Sequence, residues 1–230
     1  VDTLCVDKTG TITKGCLRVE KVIPLSGADP AGIDSRMRQM LQASEDDNPT
    51  FQALRGHWSG PMMAAEPVAL RVPFSSARKW SAVCFIAQGA TLVGAPEFLL
   101  KGHEASGEIL AQAEVFAAQG FRVLLMARSP LFPEDQELPD EIIPQALILL
   151  NDQIREDFAD TAAYLDREGV SIKVISGDNP RTVAEVARRA GLKDAGKWVD
   201  ASSLAADQDL IRAAGEYAVF GRVTPEQKKK

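Results

Sequence analysis

The stretch VSIKVISGDNP, Val170–Pro180, decides the fold class. Val170–Ile175, carried by Val170, Ile172, Val174 and Ile175, reads as a continuous β-branched run of the kind found in a parallel sheet. Ser176-Gly177-Asp178 follows at its carboxyl end, and Asp178-Asn179-Pro180 starts a helix that stops at Gly191. Working outward, Ile154, Phe158, Thr161 and Leu165 mark one face of a helix ended by Gly169. Tyr217–Val223 reads as a further strand, and Thr224-Pro225 opens a last helix. Helix and strand alternate throughout, which predicts a parallel sheet with helices on its faces.

The same grammar occurs once more, at the start. Leu4, Cys5 and Val6 form a short run that predicts a buried strand ending at Asp7, and Gly10 with the alternating threonines then makes a polar loop. Between these segments the pattern is mixed. A helix is expected over Ser35–Ser44, and Asn48-Pro49 caps a second after the charged Glu45–Asn48 loop. Strands are expected at Val68–Phe74, Trp80–Ala87 and Ala90–Val93, the last two joined by Gln88-Gly89. An alanine-rich helix spans Glu108–Gln119, a strand follows over Phe121–Ala127, and the proline- and acid-rich Ser129–Pro144 is a surface loop. The expected organisation is one α/β domain, residues 1–15 and 151–230, interrupted by an α+β insertion with an antiparallel sheet, residues 16–150.

Composition bounds the function. The 230 residues are 45% hydrophobic and 25% charged, an ordinary globular balance, and the net charge is −6. With Lys228–Lys230 as the one basic run, no field holds a polyanionic duplex, so no nucleic-acid partner is expected. No apolar stretch reaches the roughly 18 to 20 residues of a bilayer span, so the chain as given reads as soluble. Cys5, Cys16 and Cys84 form no CxxC pair and are expected to be buried, reduced thiols. The chain opens without Met and reads as a piece of something longer.

Chemistry gathers at strand ends, where ligands of doubly wound sheets bind. Asp7, Ser176-Gly177-Asp178 and the segment Arg222–Lys228 offer a carboxylate that can attack a phosphoryl group, with a hydroxyl, backbone N–H groups and an ammonium to neutralise its oxygens. Lys228 falls in the first turn after Thr224, where the helix dipole favours an acid, and such broken rules concentrate at functional sites. A solvated surface lysine is the plain alternative.

Asp7-Lys8-Thr9-Gly10-Thr11-Ile12-Thr13 resembles, residue for residue, the phosphorylation motif of the P-type ion-motive ATPases. Ser176-Gly177-Asp178-Asn179-Pro180 resembles that family's second motif, with Ser for the usual Thr, and Arg222-Val223-Thr224-Pro225 with Lys228 resembles the third. The resemblance covers essentially the whole chain. It implies a haloacid-dehalogenase-like parallel sheet, incomplete here, carrying an inserted nucleotide-binding domain. It further implies catalytic roles for Asp7, Lys8, Ser176, Gly177, Asp178 and Lys228, and Mg²⁺ at Asp7 and Thr9. ATP contacts are implied at Thr11 and Arg222, and in the insertion at Phe74, Lys79, Gly94, Ala95 and Arg122. On residue type alone Phe74, at a strand end, reads as core. Partners implied are the transmembrane and actuator parts of one polypeptide and a transported cation, with Ca²⁺ favoured because Phe74–Lys79 and Gly94–Glu97 look like the calcium and magnesium branch. The histidine pairs His57-Trp58 and His103-Glu104 are not the His-Pro pair of heavy-metal pumps. The place implied is the cytoplasmic face of a membrane.

Two positions depart from the family pattern. Val93 stands where the pocket loop usually begins with Lys, and Phe51 where an acid is expected, so a more apolar nucleotide pocket is implied. Phe51 either stacks on the base or belongs to the core. The Gly-Asp-Gly-x-Asn-Asp motif that supplies a second magnesium carboxylate is absent. Two rival readings remain. A soluble phosphatase of the same fold would carry a general-acid Asp at the Thr9 position, and a nucleotide-binding module would bind without turnover.

Overall fold

The computed structural model describes all residues except 62, 63, 65, 104, 105, 205 and 230, together with the side chain at 207. Glu104 and Lys230 of the motifs above therefore lie outside the described residues. In chain order the elements are β1 (Thr3–Asp7), β2 (Thr13–Pro24), α1 (Pro30–Ala43), α2 (Pro49–His57), β3 (Val68–Val72), β4 (Trp80–Phe85), β5 (Gly89–Gly94), α3 (Pro96–Leu99), α4 (Ser106–Ala118), β6 (Arg122–Ser129), β7 (Ile143–Ile154), α5 (Phe158–Arg167), β8 (Ser171–Ile175), α6 (Pro180–Arg189), β9 (Trp198–Asp200), α7 (Asp207–Glu216), β10 (Val219–Gly221) and α8 (Pro225–Lys229). They form two compact units, Val1–Cys16 with Ala118–Gly120 and Asp152–Lys230, and Leu17–Ala117 with Phe121–Asn151.

The first unit is built on a parallel sheet of order β1-β8-β10-β9. Its core sets Val174, Ile172 and Val219 of the strands against Phe158 and Ala162 of α5 and Val183, Val186 and Ala187 of α6. Asn179 caps α6 by accepting the N–H of Arg181, with Pro180 at the first helical position, as its sequence foretells. β10 passes so close to this helix start that a Cβ on Gly221 would collide with the backbone of Pro180.

The second unit holds an antiparallel sheet, order β2-β7-β6-β5-β4-β3. Helices α1 and α2 contribute Ile33, Met37, Met40, Leu41, Phe51 and Leu54 to a core with Val83, Phe85, Val93, Met126 and Ile148 of the sheet. Both helices start on the same chemistry: Asp29 before Pro30 and Asn48 before Pro49 each accept two backbone N–H groups of the first turn. The mixed fold with one parallel and one antiparallel sheet is as the sequence reads.

Several local readings need correction. β1 is not buried: it is the edge of its sheet, and Thr3, Leu4, Cys5 and Asp7 are exposed. Cys5 and Cys16 are accordingly exposed, and only Cys84, in the middle of β4, is a buried thiol. Helix α1 begins at Pro30 rather than Ser35, because Asp29-Pro30 is a cap pair. The loop after Asp7 is short, and the chain is extended over Thr13–Pro24, where Leu17, Arg18, Val19 and Glu20 alternate. Ile154 ends the long strand β7 and is not on the face of α5. The Tyr217–Val223 strand is confined to Val219–Gly221, and β9 was not foreseen.

Candidate functional site

In the first unit the motifs meet at the carboxyl ends of β1, β8 and β10. Asp7 is the last residue of β1 and pairs with Ile175, the last of β8, so that Ser176 begins where Asp7 ends. Beyond Asp7 the chain folds back on one atom: the carbonyl of Lys8 accepts the N–H groups of Ile12 at 3.1 Å and Thr13 at 3.0 Å. Gly10 takes φ +82° in this turn, a conformation that side chains disfavour. Ile12 is fully buried and anchors the turn in the core, while Thr9, Gly10 and Thr11 are exposed.

The carboxylate of Asp7 is half-exposed, and the ammonium of Lys228 donates to its Oδ2 at 2.6 Å. Thr224 places that lysine: its Oγ1 accepts the N–H of Gln227 and its carbonyl the N–H of Lys228 as α8 begins. Lys8 has other partners. It is 5% exposed and its ammonium pairs with Asp152 and, at 2.9 Å, with Asp178. Burial opposes the charge most strongly, but the hydrogen bonds and negative charge of the two carboxylates prevail and hold the ammonium above the ordinary lysine range.

Ser176 is buried, and its hydroxyl oxygen accepts the N–H of Asp178 at 3.2 Å, leaving its own proton to donate. Its backbone is held on both sides, the N–H by the carbonyl of Phe220 and the carbonyl by the N–H of Val223. A Cβ on Gly177 would find only ordinary contact, at 3.7 Å from the carbonyl of Val223. Arg222 has φ +52°, unusual for a residue other than glycine; its N–H donates to the carbonyl of Asp178, and its guanidinium bonds Asp200 at 2.8 Å. Asp152 and Asp200 are thus members of the cluster that the sequence reading missed. Among the described residues no group of three or more His, Cys, Asp or Glu could hold a metal ion.

In the second unit the expected contact residues share one end of the antiparallel sheet. Gly94 ends β5 opposite Trp80, the first residue of β4, and a Cβ on it would collide with Trp80 and the carbonyl of Lys79. That carbonyl accepts the N–H of Ala95, and Lys79 itself takes φ +62°. Arg122 opens β6 and donates to Thr50 Oγ1 at 3.0 Å. The ring of Phe74 is not core, being 41% exposed, and the residue's N–H donates to both carboxylate oxygens of Asp46. The open question about Phe51 is answered: it is 3% exposed, as is Val93, and both lie in the same apolar core.

The model for haloacid dehalogenase-like hydrolases matches residues 1–228. The chain belongs to that family. Within it, this haloacid dehalogenase-like chain is 41% identical over 232 residues to a probable cation-transporting ATPase of Streptococcus pneumoniae, and 37% identical over 231 residues to the calcium-transporting ATPase CtpE of Mycobacterium tuberculosis. Both alignments cover 100% of this chain, which spans 29% and 28% of those two proteins. Among solved structures, a zinc-transporting PIB-type ATPase in its E2.Pi state matches 99% of the chain, and this chain covers 30% of that one, with a TM-score of 0.67 at 20% identity, a likeness of fold.

Proposed function

We propose that this chain is the catalytic part of an ATP-driven cation pump. Residues 16–150 bind ATP, and the phosphorylation domain, residues 1–15 and 151–230, receives its γ-phosphoryl group. A carboxylate oxygen of Asp7 attacks the γ-phosphorus, the bond to the β-bridging oxygen breaks, ADP leaves, and an aspartyl phosphate remains. Lys228, the Ser176 hydroxyl and the N–H groups after it neutralise the transferred oxygens. Lys8, fixed between Asp152 and Asp178, ties the end of β7 to the segment after β8 beside the nucleophile. The arrangement suits Mg²⁺, which takes one or two carboxylates and completes its shell with phosphate and water; Asp7 and Thr9 would hold it, and it would neutralise phosphate charge.

The observation that carries this reading is the Asp7–Lys228 pair, an exposed carboxylate at a strand end with a cation from the far end of the chain at 2.6 Å. The likeness to cation-transporting ATPases supports it, as does Thr9, which provides no general acid to hydrolyse the acyl phosphate. We further propose that the chain works at the cytoplasmic face of a membrane, with transmembrane and actuator parts of the same polypeptide, and that Ca²⁺ is carried, as the name of its mycobacterial relative, a calcium-transporting ATPase, suggests. Among the described residues no helix is long and apolar enough to cross a membrane itself.

The test is to give the full-length polypeptide ATP labelled at the γ- or the α-phosphate, with Mg²⁺, and quench in acid. Protein-bound label from γ-labelled ATP alone is expected; none from either, or equal label from both, contradicts the proposal.

A further inference from the structure

Three successive acids, Glu45, Asp46 and Asp47, join α1 to the Asn48 cap of α2, and the middle one differs from its neighbours. Glu45 lies beside Arg71 and Asp47 beside Arg55. Asp46 has no lysine or arginine at ion-pairing distance among the described residues. Its carboxylate instead accepts the backbone N–H of Phe74, at 3.0 and 3.2 Å, and lies 3.4 Å from the hydroxyl of Ser44. An ionised carboxylate has about four acceptor positions, so these partners leave capacity unused. The group is partly exposed, so this capacity is open to a ligand arriving from solvent.

What lies next to that capacity is the exposed ring of Phe74, a flat apolar surface suited to stacking a base. Two neighbouring side-chain oxygens already accept hydrogen bonds. Asn48 Oδ1 accepts the N–H groups of Thr50 and Phe51, and Thr50 Oγ1 accepts from Arg122. Phe51 and Val93 offer the base no hydrogen bond at all. The acceptor fixed to the backbone of the stacking residue is therefore placed to read the edge of whatever stacks there.

We propose that Asp46 determines base specificity, accepting a hydrogen bond from the exocyclic amino group of adenine stacked on Phe74. This rests on the reading of the face around Phe74 as the nucleotide site. A carboxylate repels a base that presents a carbonyl oxygen at that edge and gains nothing from one that presents a bare C–H.

The test is calorimetric titration of the 230-residue chain and its Asp46→Asn variant with ATP and with purine riboside triphosphate, which differs from ATP by lacking the amino group. Wild type is expected to bind ATP about tenfold more tightly than the analogue, the scale of one partly solvated hydrogen bond to a charged group. Asp46→Asn keeps an oxygen for the Phe74 N–H and removes the charge. It is expected to weaken ATP several-fold, leave the analogue unchanged and so abolish most of the preference. Equal affinity of wild type for the two ligands, or an equal loss for both in the variant, overturns the assignment to Asp46. GTP binding more tightly than ATP overturns the adenine assignment, since guanine offers a carboxylate two adjacent donors. No binding of any nucleotide removes the nucleotide site itself, an outcome distinct from the others.

Discussion

The ammonium of Lys228 sits 2.6 Å from Oδ2 of Asp7, a residue 221 positions earlier in the chain. The two side chains are 36% and 48% exposed, so water screens the pair and it adds less than about 1 kcal/mol to stability. On the proposed function, its value lies in charge placed where a phosphoryl oxygen would arrive. Lys228→Met in the full-length protein is expected to slow phosphoenzyme formation by about 10² to 10³-fold, the cost of removing one such donor. The melting temperature should hardly move. Rapid acid quench and a thermal scan on the same preparation check both halves.

Lys8 makes the opposite case. Asp152→Ala leaves a buried ammonium with Asp178 as its remaining partner and is expected to cost about 2 to 4 kcal/mol, whereas Lys8→Met, which removes the charge and keeps the volume, costs less. Urea unfolding of both variants checks the order.

The pH dependence of that loss is fixed in sign. The folded chain holds Lys8 above its ordinary value of 10.5, so the stabilisation is fully present below that value and is lost as pH rises through the folded one. The gap between wild type and Asp152→Ala, followed by urea midpoints, should stay flat between about pH 6 and 9 and narrow at strongly alkaline pH.

Two glycines near the site should part company. Gly221→Ala drives a Cβ into the backbone of Pro180, which cannot yield without moving α6, and is expected to cost about 2 to 3 kcal/mol. At Gly177 the new Cβ meets its nearest atom at 3.7 Å, so stability should change by no more than about 1 kcal/mol. Denaturant midpoints of the two variants make the comparison.

The cysteines give a check on the corrected edge strand. Cys5 and Cys16 are exposed, while burial pushes the Cys84 thiol up to about 11. A disulfide reagent at neutral pH is expected to titrate two thiols quickly in the native chain and the third only after unfolding.

The sequence made the site legible where its chemistry is local. Asp7, Ser176, Asp178 and Lys228 each sit in a short motif at the end of a strand or the start of a helix, so residue type and position alone bring them together. Asp152 was not legible, because it becomes a partner only when Lys8 is buried beside it, 144 residues away. Asp46 was hidden for a similar reason: among three acids in a row, nothing in the letters says which one lacks an arginine. The substitutions at Phe51 and Val93 were visible as departures, but their burial together depends on how α2 packs on the sheet. The exposure of Cys5 was missed because an apolar run reads alike in a central strand and at an edge. Strand β2 is not legible although Leu17, Arg18, Val19 and Glu20 alternate, since Gly10 and the threonines around it signal a polar loop and Gly15 interrupts the pattern.

The most direct measurement locates the phosphate. The full-length protein, phosphorylated from γ-labelled ATP and digested in acid, should yield one labelled peptide, the one containing Asp7, with label released by hydroxylamine and none formed in Asp7→Asn. Label on any other peptide, or label retained in the Asn variant, would contradict the assignment of Asp7 as the nucleophile.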